Sequence, residues 1–89
     1  MMSKQIHKTV FDFLATLPPK QKAQIAVKIL ELFNNPRPND SIQIKGEVKG
    51  CFRVDIGEYR IVYTFLNNEL QIDMVGKRND DEIYKKIKR

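Results

Sequence analysis

Residues that commonly hold metals or form disulfides are scarce in this chain. Its 89 residues include one cysteine, Cys51, one histidine, His7, and no tryptophan. One cysteine cannot form a disulfide within the chain, and a single His and a single Cys far apart in sequence cannot supply a zinc site. Because the carboxylates are not clustered either, we expect a protein without a bound metal or other cofactor.

Long apolar segments are also absent. No run of residues approaches the length that crosses a bilayer, and the N-terminal MMSKQIHKTV lacks the apolar stretch of a secretory leader. We therefore expect a cytoplasmic protein with no membrane segment. The length corresponds to one domain, predicted over residues 1–89, with one modest core.

Negative charge is in the minority. The chain carries 16 Lys and Arg against 11 Asp and Glu, which gives a formal net charge of +5 at pH 7. A basic chain of this size favours an anionic partner, and RNA, DNA or an acidic protein would each satisfy that preference. Charge alone does not choose among them.

The first half of the chain has the apolar spacing of helices. The segment KQIHKTVFDFL predicts a short strand over 4–7 that runs into a helix over 8–17, which Pro18 and Pro19 end. Residues 20–34 predict a longer amphipathic helix, which the prolines of NNPRPND terminate. Its apolar residues recur at i, i+4 and i+7: Ile25, Ile29 and Leu32.

The second half changes to the two-residue period of β-strands. Gly57-Glu58 predicts a type II′ hairpin turn and Asn67-Asn68 a second tight turn, because glycine and asparagine tolerate positive φ. The segment DEIYKKIKR, 81–89, predicts a short C-terminal helix. The predicted strands are SIQIKG at 41–46, CFRVDI at 51–56, YRIVYTFL at 59–66 and ELQIDMV at 69–75.

The predicted fold is α+β, with two N-terminal helices packed on one face of a small twisted antiparallel sheet and a short C-terminal helix. Arg53 and Asp55 alternate with apolar residues of their strand, so they should point to the opposite face. Arg60 lies across the hairpin turn from them, and Lys77 and Arg78 follow the last strand.

A meander brings these charged segments side by side. Guanidinium groups present a fixed fork of donors that matches phosphate oxygens, so the pattern predicts an anion-binding sheet face. The plainer interpretation is that each charge is simply solvated, since Arg–Asp pairs across strands contribute only about 0.2–1 kcal/mol. The residues by themselves leave both interpretations open.

Four sequence pieces, in order and at near-unbroken spacing, resemble toxins of the RelE/ParE superfamily of type II toxin–antitoxin systems. They are LFNNPRPND, IKGEVKG, GEYRIVY and VGKRNDDEIY. The chain is most similar to the RelE branch, whose members are metal-independent endoribonucleases that cut messenger RNA in the ribosomal A site. The resemblance implies the family fold, which agrees with the one predicted above.

The resemblance also implies site residues. Arg53 matches a basic position on the strand before the hairpin, whereas Asp55 stands where a branch of the family has Lys. Arg60 matches the arginine that clamps the phosphate, Arg78 the arginine after the last core strand, and Tyr84 the tyrosine of the C-terminal helix. The implied catalytic set is Arg53, Arg60, Arg78 and Tyr84, and the substrate-binding set is Lys45, Lys49, Asp55 and Lys77.

The residue that transfers protons during cleavage is the role that this set assigns least clearly. Guanidinium groups stay protonated at physiological pH, so the transfer would fall to Tyr84, to Asp55 or to one of the lysines. An ionised Asp55 beside the phosphate would repel RNA. Held by neighbouring arginines, it would be either a base or a positioning partner, and we favour the positioning role.

The resemblance implies two partners, an acidic antitoxin that folds on binding and messenger RNA in the ribosomal A site. Val27 and Leu30 of the long helix could lie under the antitoxin, although core positions are the simpler prediction. Two alternatives stay open. The chain could be a RelE-fold module that binds antitoxin or RNA without cutting, or a ParE-like gyrase inhibitor, which generally lacks the arginine–tyrosine set.

Overall fold

Helices precede the main strands in the chain, as the change of hydrophobic period predicts. The computed structural model of the protein describes residues 2–46 and 49–78. It confirms the α+β class and the two N-terminal helices. The elements are β1 Ser3–Ile6, α1 Lys8–Leu14, α2 Pro19–Asn34, β2 Ile42–Gln43, β3 Cys51–Ile56, β4 Tyr59–Leu66 and β5 Glu69–Lys77.

The five strands form one sheet in the order β1-β5-β4-β3-β2. Strands β2 to β5 make the predicted antiparallel meander. Strand β1 pairs in parallel with β5, with Ser3 opposite Glu69 and Ile6 opposite Ile72, so the sheet is mixed rather than wholly antiparallel. A four-residue strand carries too little pattern to reveal its partner. The predicted C-terminal helix, 81–89, lies outside the described residues.

Helix α1 is shorter than its apolar spacing predicts. It ends at Leu14, three residues before the predicted end. The next residues form tighter turns, in which the N–H groups of Thr16 and Leu17 donate to carbonyls three residues back, at 3.0 and 3.1 Å. At the other end, the Nδ1 atom of His7 accepts a hydrogen bond from the Thr9 N–H and caps the helix.

Both helices pack on one face of the sheet, where the core lies. The apolar stripe predicted for α2 is buried, and Val10 of α1 joins it. Tyr63 is fully buried, and its hydroxyl donates to the Pro36 carbonyl at 2.7 Å, which fixes the loop after α2 against the sheet. The core residues of the strands are Phe52, Val54, Ile61, Tyr63, Leu70, Ile72 and Val75.

Two tight turns set the register of the meander. Gly57 has a φ of 59° and begins the β3–β4 turn, and the Asn67-Asn68 turn has φ values of 53° and 62°. Positive φ is the backbone conformation that glycine and asparagine tolerate best. The first turn places Asp55 directly opposite Arg60, which decides the geometry of the site below.

Candidate anion-binding site

The sheet face opposite the helices, called the site face from here on, carries the charged residues of the central hairpin. Val54 on β3 and Ile61 on β4 point into the core. Because successive side chains of a strand alternate, their neighbours Arg53, Asp55 and Arg60 point to the site face. The structure therefore confirms the face on which the alternation placed Arg53 and Asp55, and it shows Arg60 on the same face.

Asp55 and Arg60 form a two-point ion pair across the hairpin. The Nε atom of Arg60 donates to Oδ1 of Asp55 at 2.7 Å, and Nη2 donates to Oδ2 at 3.3 Å. The Arg60 side chain is only 12% exposed, whereas that of Asp55 is 36% exposed. The guanidinium is thus held in a fixed orientation, with its carboxylate partner nearer to water.

Arg53 and Arg78 complete what we call the arginine cluster: Arg53, Arg60 and Arg78. Arg53 lies two residues before Asp55 on β3, and Arg78 follows β5, where its N–H donates to the Glu58 carbonyl at 2.8 Å. This bond brings the end of β5 to the Gly57–Glu58 turn. Tyr84, the fourth residue of the predicted catalytic set, lies outside the described residues.

The arginine cluster acts on one carboxylate. The hydrogen bond from Arg60 lowers the pKa of Asp55 below its ordinary value; partial burial opposes this effect, and the charges of Arg60, Arg53 and Arg78 reinforce it. Asp55 is therefore ionised at neutral pH and is a weak base. The charges of all three predicted arginines therefore act on the same anion.

The predicted lysines do not join this cluster. Lys45 and Lys49 are exposed in the β2–β3 connection, at the end of β3 away from the Gly57–Glu58 turn. Lys77 pairs with Tyr59, whose ring packs against the core, so its register assigns it to the helix side of the sheet. Sequence proximity to Arg78 does not reveal this, because adjacent strand residues face opposite sides.

The middle of the site face is apolar, which the sequence analysis did not predict. Cys51 and Val62 are buried there, with Ile44 and Met74 packed against them. Burial, reinforced by the charge of Asp73, raises the pKa of the Cys51 thiol to about 11. Val62 is the cross-strand partner of Arg53, so this small second cluster lies beside the arginines.

Asp73 is a further titratable group of the sheet that sequence reasoning missed. Val62 pairs with Met74 but Tyr63 pairs with Ile72, so Asp73 is the extra residue of a β-bulge. Burial raises its pKa to about 6, while the charge of His7 and a hydrogen bond from Thr64 oppose that rise. A bulge breaks the two-residue period, so no sequence signal marks the residue.

An apolar groove of about 200 Å³ lies on the other side of the molecule, between α1 and α2. Leu30 is 58% exposed on its border, and Val27 on the same helix is 55% exposed. The prediction that these two residues are core positions is therefore wrong. The groove is lined by Ile6, Val10, Phe11, Leu14, Ala26, Ile29, Leu30 and Phe33.

Within residues 2–46 and 49–78, no group of three or more His, Cys, Asp or Glu side chains is arranged to hold a metal ion. No helix in this part of the chain is long and apolar enough to cross a membrane. What the site face does offer is positive charge on planar donors, which suits a phosphate group.

Solved structures of RelE toxins share this fold. The archaeal RelE–RelB complex from Pyrococcus horikoshii OT3 matches with a TM-score of 0.74 and 22% identity, covering 88% of this chain and 96% of that one. The RelB–RelE complex from Methanococcus jannaschii matches with a TM-score of 0.70 and 25% identity, covering 92% and 96%. The isolated E. coli RelE toxin gives 0.72 and 19%, covering 98% and 95%.

Sequence comparison gives the family. No curated protein sequence matches this chain closely enough to count as a relative. A family model described as the ParE toxin of the type II toxin–antitoxin system parDE matches residues 4–82, which is nearly the whole chain. With the fold shared by the RelE structures, this match shows that the chain belongs to the ParE toxin family, within the RelE/ParE superfamily of type II toxins.

Proposed function

We propose that this toxin is a metal-independent endoribonuclease that cuts messenger RNA in the ribosomal A site and so inhibits translation. The observation that carries the proposal is the two-point hydrogen bonding of Arg60 to the Asp55 carboxylate, on which the charges of Arg53 and Arg78 also act. Cationic donors directed at an anion are what stabilisation of a reacting phosphate requires. A ribosomal target would place the activity in the cytoplasm.

The chemistry is an attack of the ribose 2′-hydroxyl on the adjacent phosphate. The O–P bond forms, the bond to the 5′-oxygen breaks, and the products are a 2′,3′-cyclic phosphate and a 5′-hydroxyl end. The arginine cluster would neutralise the charge that develops on the phosphate. The 2′-hydroxyl loses a proton and the leaving 5′-oxygen gains one. We assign this proton transfer to Tyr84, because the lowered pKa of Asp55 makes that carboxylate a weak base at neutral pH.

The exposed Lys45 and Lys49 would contact RNA beyond the reacting phosphate. Their position in the β2–β3 connection, away from the Gly57–Glu58 turn, supports this more peripheral role, whereas Lys77 lies on the helix side of the sheet and is given no RNA contact. Contacts of this kind contribute affinity that falls as the salt concentration rises.

We also propose an antitoxin partner for this chain. The P. horikoshii and M. jannaschii RelE toxins were solved in complex with RelB, and this chain shares their fold. The groove between α1 and α2 offers an apolar surface for an amphipathic helix of such a partner. The net charge of +5 favours an acidic one.

Induced expression in a bacterial host tests the proposed activity. Growth should stop, and mapping of RNA ends should show messages cut within translated regions. Arg78→Ala, at an exposed position, should lower the cleavage rate by about a hundredfold and restore growth, because one charge-stabilising donor is lost. Lys22→Ala, on the exposed side of α2, removes the same charge away from the site and should stay toxic.

A ParE-like action on DNA gyrase is the second candidate, and the ParE description of the matching family favours it. It predicts growth arrest with intact messages and damaged DNA, so the same expression experiment separates the two. Arrest that persists unchanged in Arg78→Ala and Arg53→Ala would contradict the nuclease site. Absence of toxicity would instead indicate a module that binds without cutting.

A further inference from the structure

The carboxylate of Asp55 already makes the contact that a phosphate would make. Its two oxygens accept from Nε and Nη2 of Arg60 at 2.7 and 3.3 Å. Carboxylates and phosphates share this two-oxygen pattern on the guanidinium fork. Arg53 and Arg78 also act on this carboxylate through their charge. Asp55 therefore lies in the positive potential of all three arginines of the cluster.

We propose that Asp55 is an internal competitor of the RNA phosphate. In the free protein its carboxylate occupies the edge of Arg60 that a phosphate takes on binding, and it must release that edge when RNA binds. The inference rests on the proposed function, because it concerns the anion of the same site. In this role Asp55 sets the affinity of the site for RNA and does not transfer a proton.

The exposure of the two partners makes such an exchange feasible. The Arg60 side chain is 12% exposed and so is held by its surroundings, while that of Asp55 is 36% exposed and can turn towards water. Partly solvated ion pairs contribute little net stability, so their partners can be exchanged. The incoming phosphate also replaces the charge that leaves, whereas two anions held together would repel each other.

The direct test measures binding without cleavage. A fluorescent 2′-O-methyl oligoribonucleotide lacks the attacking hydroxyl, so anisotropy titrations report affinity alone. Asp55→Asn should bind about fivefold to fifteenfold more tightly than the wild type, the effect of removing one negative charge a few ångströms from a phosphate. The slope of log affinity against log salt should steepen by about 0.7, as for one added phosphate contact.

Two variants serve as matched controls. Asp55→Glu keeps the negative charge and should show no gain in affinity. Asp12→Asn removes the same charge from an exposed position on α1, on the helix side of the sheet, and should stay within about twofold of the wild type. Far-UV circular dichroism checks that each variant is folded.

The outcomes separate this inference from the proposed function. Equal or weaker binding by Asp55→Asn would overturn the competitor role and show that the carboxylate supports Arg60 instead. If Arg53→Ala and Arg78→Ala lose affinity while Asp55→Asn gains none, the anion site stands and only the inference fails. If no arginine change affects binding, or if no protein binds, both fail.

Discussion

The half-buried carboxyl of Asp73 should make this toxin less stable as the pH rises from about 4 to about 6. Burial raises the pKa of Asp73 from 3.8 to about 6 in the folded protein. Between these values the folded state keeps a proton that the unfolded state releases. The free energy of unfolding must then fall with rising pH across this window and level off above it.

The size of the effect follows from the shift. About two pKa units correspond to about 3 kcal/mol, and solvent screening of a half-buried group reduces this to about 1–2 kcal/mol. Asp73→Asn removes the titration but keeps an oxygen that can accept the hydrogen bond from Thr64. The variant should match the wild type near pH 4 and be more stable by about 1–2 kcal/mol at pH 8.

Urea unfolding followed by far-UV circular dichroism at both pH values measures this difference, since the chain has no tryptophan to report by fluorescence. Asp12→Asn, on the exposed surface of α1, is the charge-matched control and should leave the pH profile unchanged. His7→Asn keeps an N-cap acceptor but removes the charge that opposes the shift, so it should enlarge the pH effect. A difference between Asp73→Asn and the wild type that does not vary with pH would refute the reasoning.

Two further predictions concern burial. Leu32→Ala should lower the free energy of unfolding by about 2–5 kcal/mol, because Leu32 is fully buried between α2 and the sheet. Leu30→Ala, two residues earlier but 58% exposed, should cost less than about 0.5 kcal/mol in the same urea titration; similar losses would contradict the assigned helix orientation. Cys51 should resist iodoacetamide in the folded protein at pH 8, because it is buried and its pKa is about 11. Mass spectrometry should detect labelling only in urea, and full labelling without urea would disprove the burial.

Asp55 links the site to the function of this particular toxin. The resemblance places a lysine of one family branch at this position, and the structure shows that the aspartate forms a two-point pair with Arg60. The lowered pKa of Asp55 argues against a role as a general base. Its hydrogen bonds to Arg60 argue against the interpretation that it is simply a solvated surface charge. Binding and toxicity of Asp55 variants are therefore the most informative measurements on this chain.

The sequence by itself determined the elements and the faces of the main strands. Alternation in CFRVDI and YRIVYTFL, with the Gly57-Glu58 turn between them, predicted strands β3 and β4 with their observed bounds. The same alternation assigned Arg53 and Asp55 to the site face. These features are local, because side-chain direction and turn geometry depend on neighbouring residues.

Tertiary structure decided everything that depends on residues distant in the chain. The parallel pairing of β1 with β5, the bulge at Asp73 and the exposure of Leu30 all follow from how the elements pack, and no local pattern encodes them. The same holds for the site. Sequence named Arg53, Arg60 and Arg78, but only the register of the sheet brings Arg78 to the hairpin and turns Lys77 away from it, because strand pairing alone fixes which distant side chains share a face.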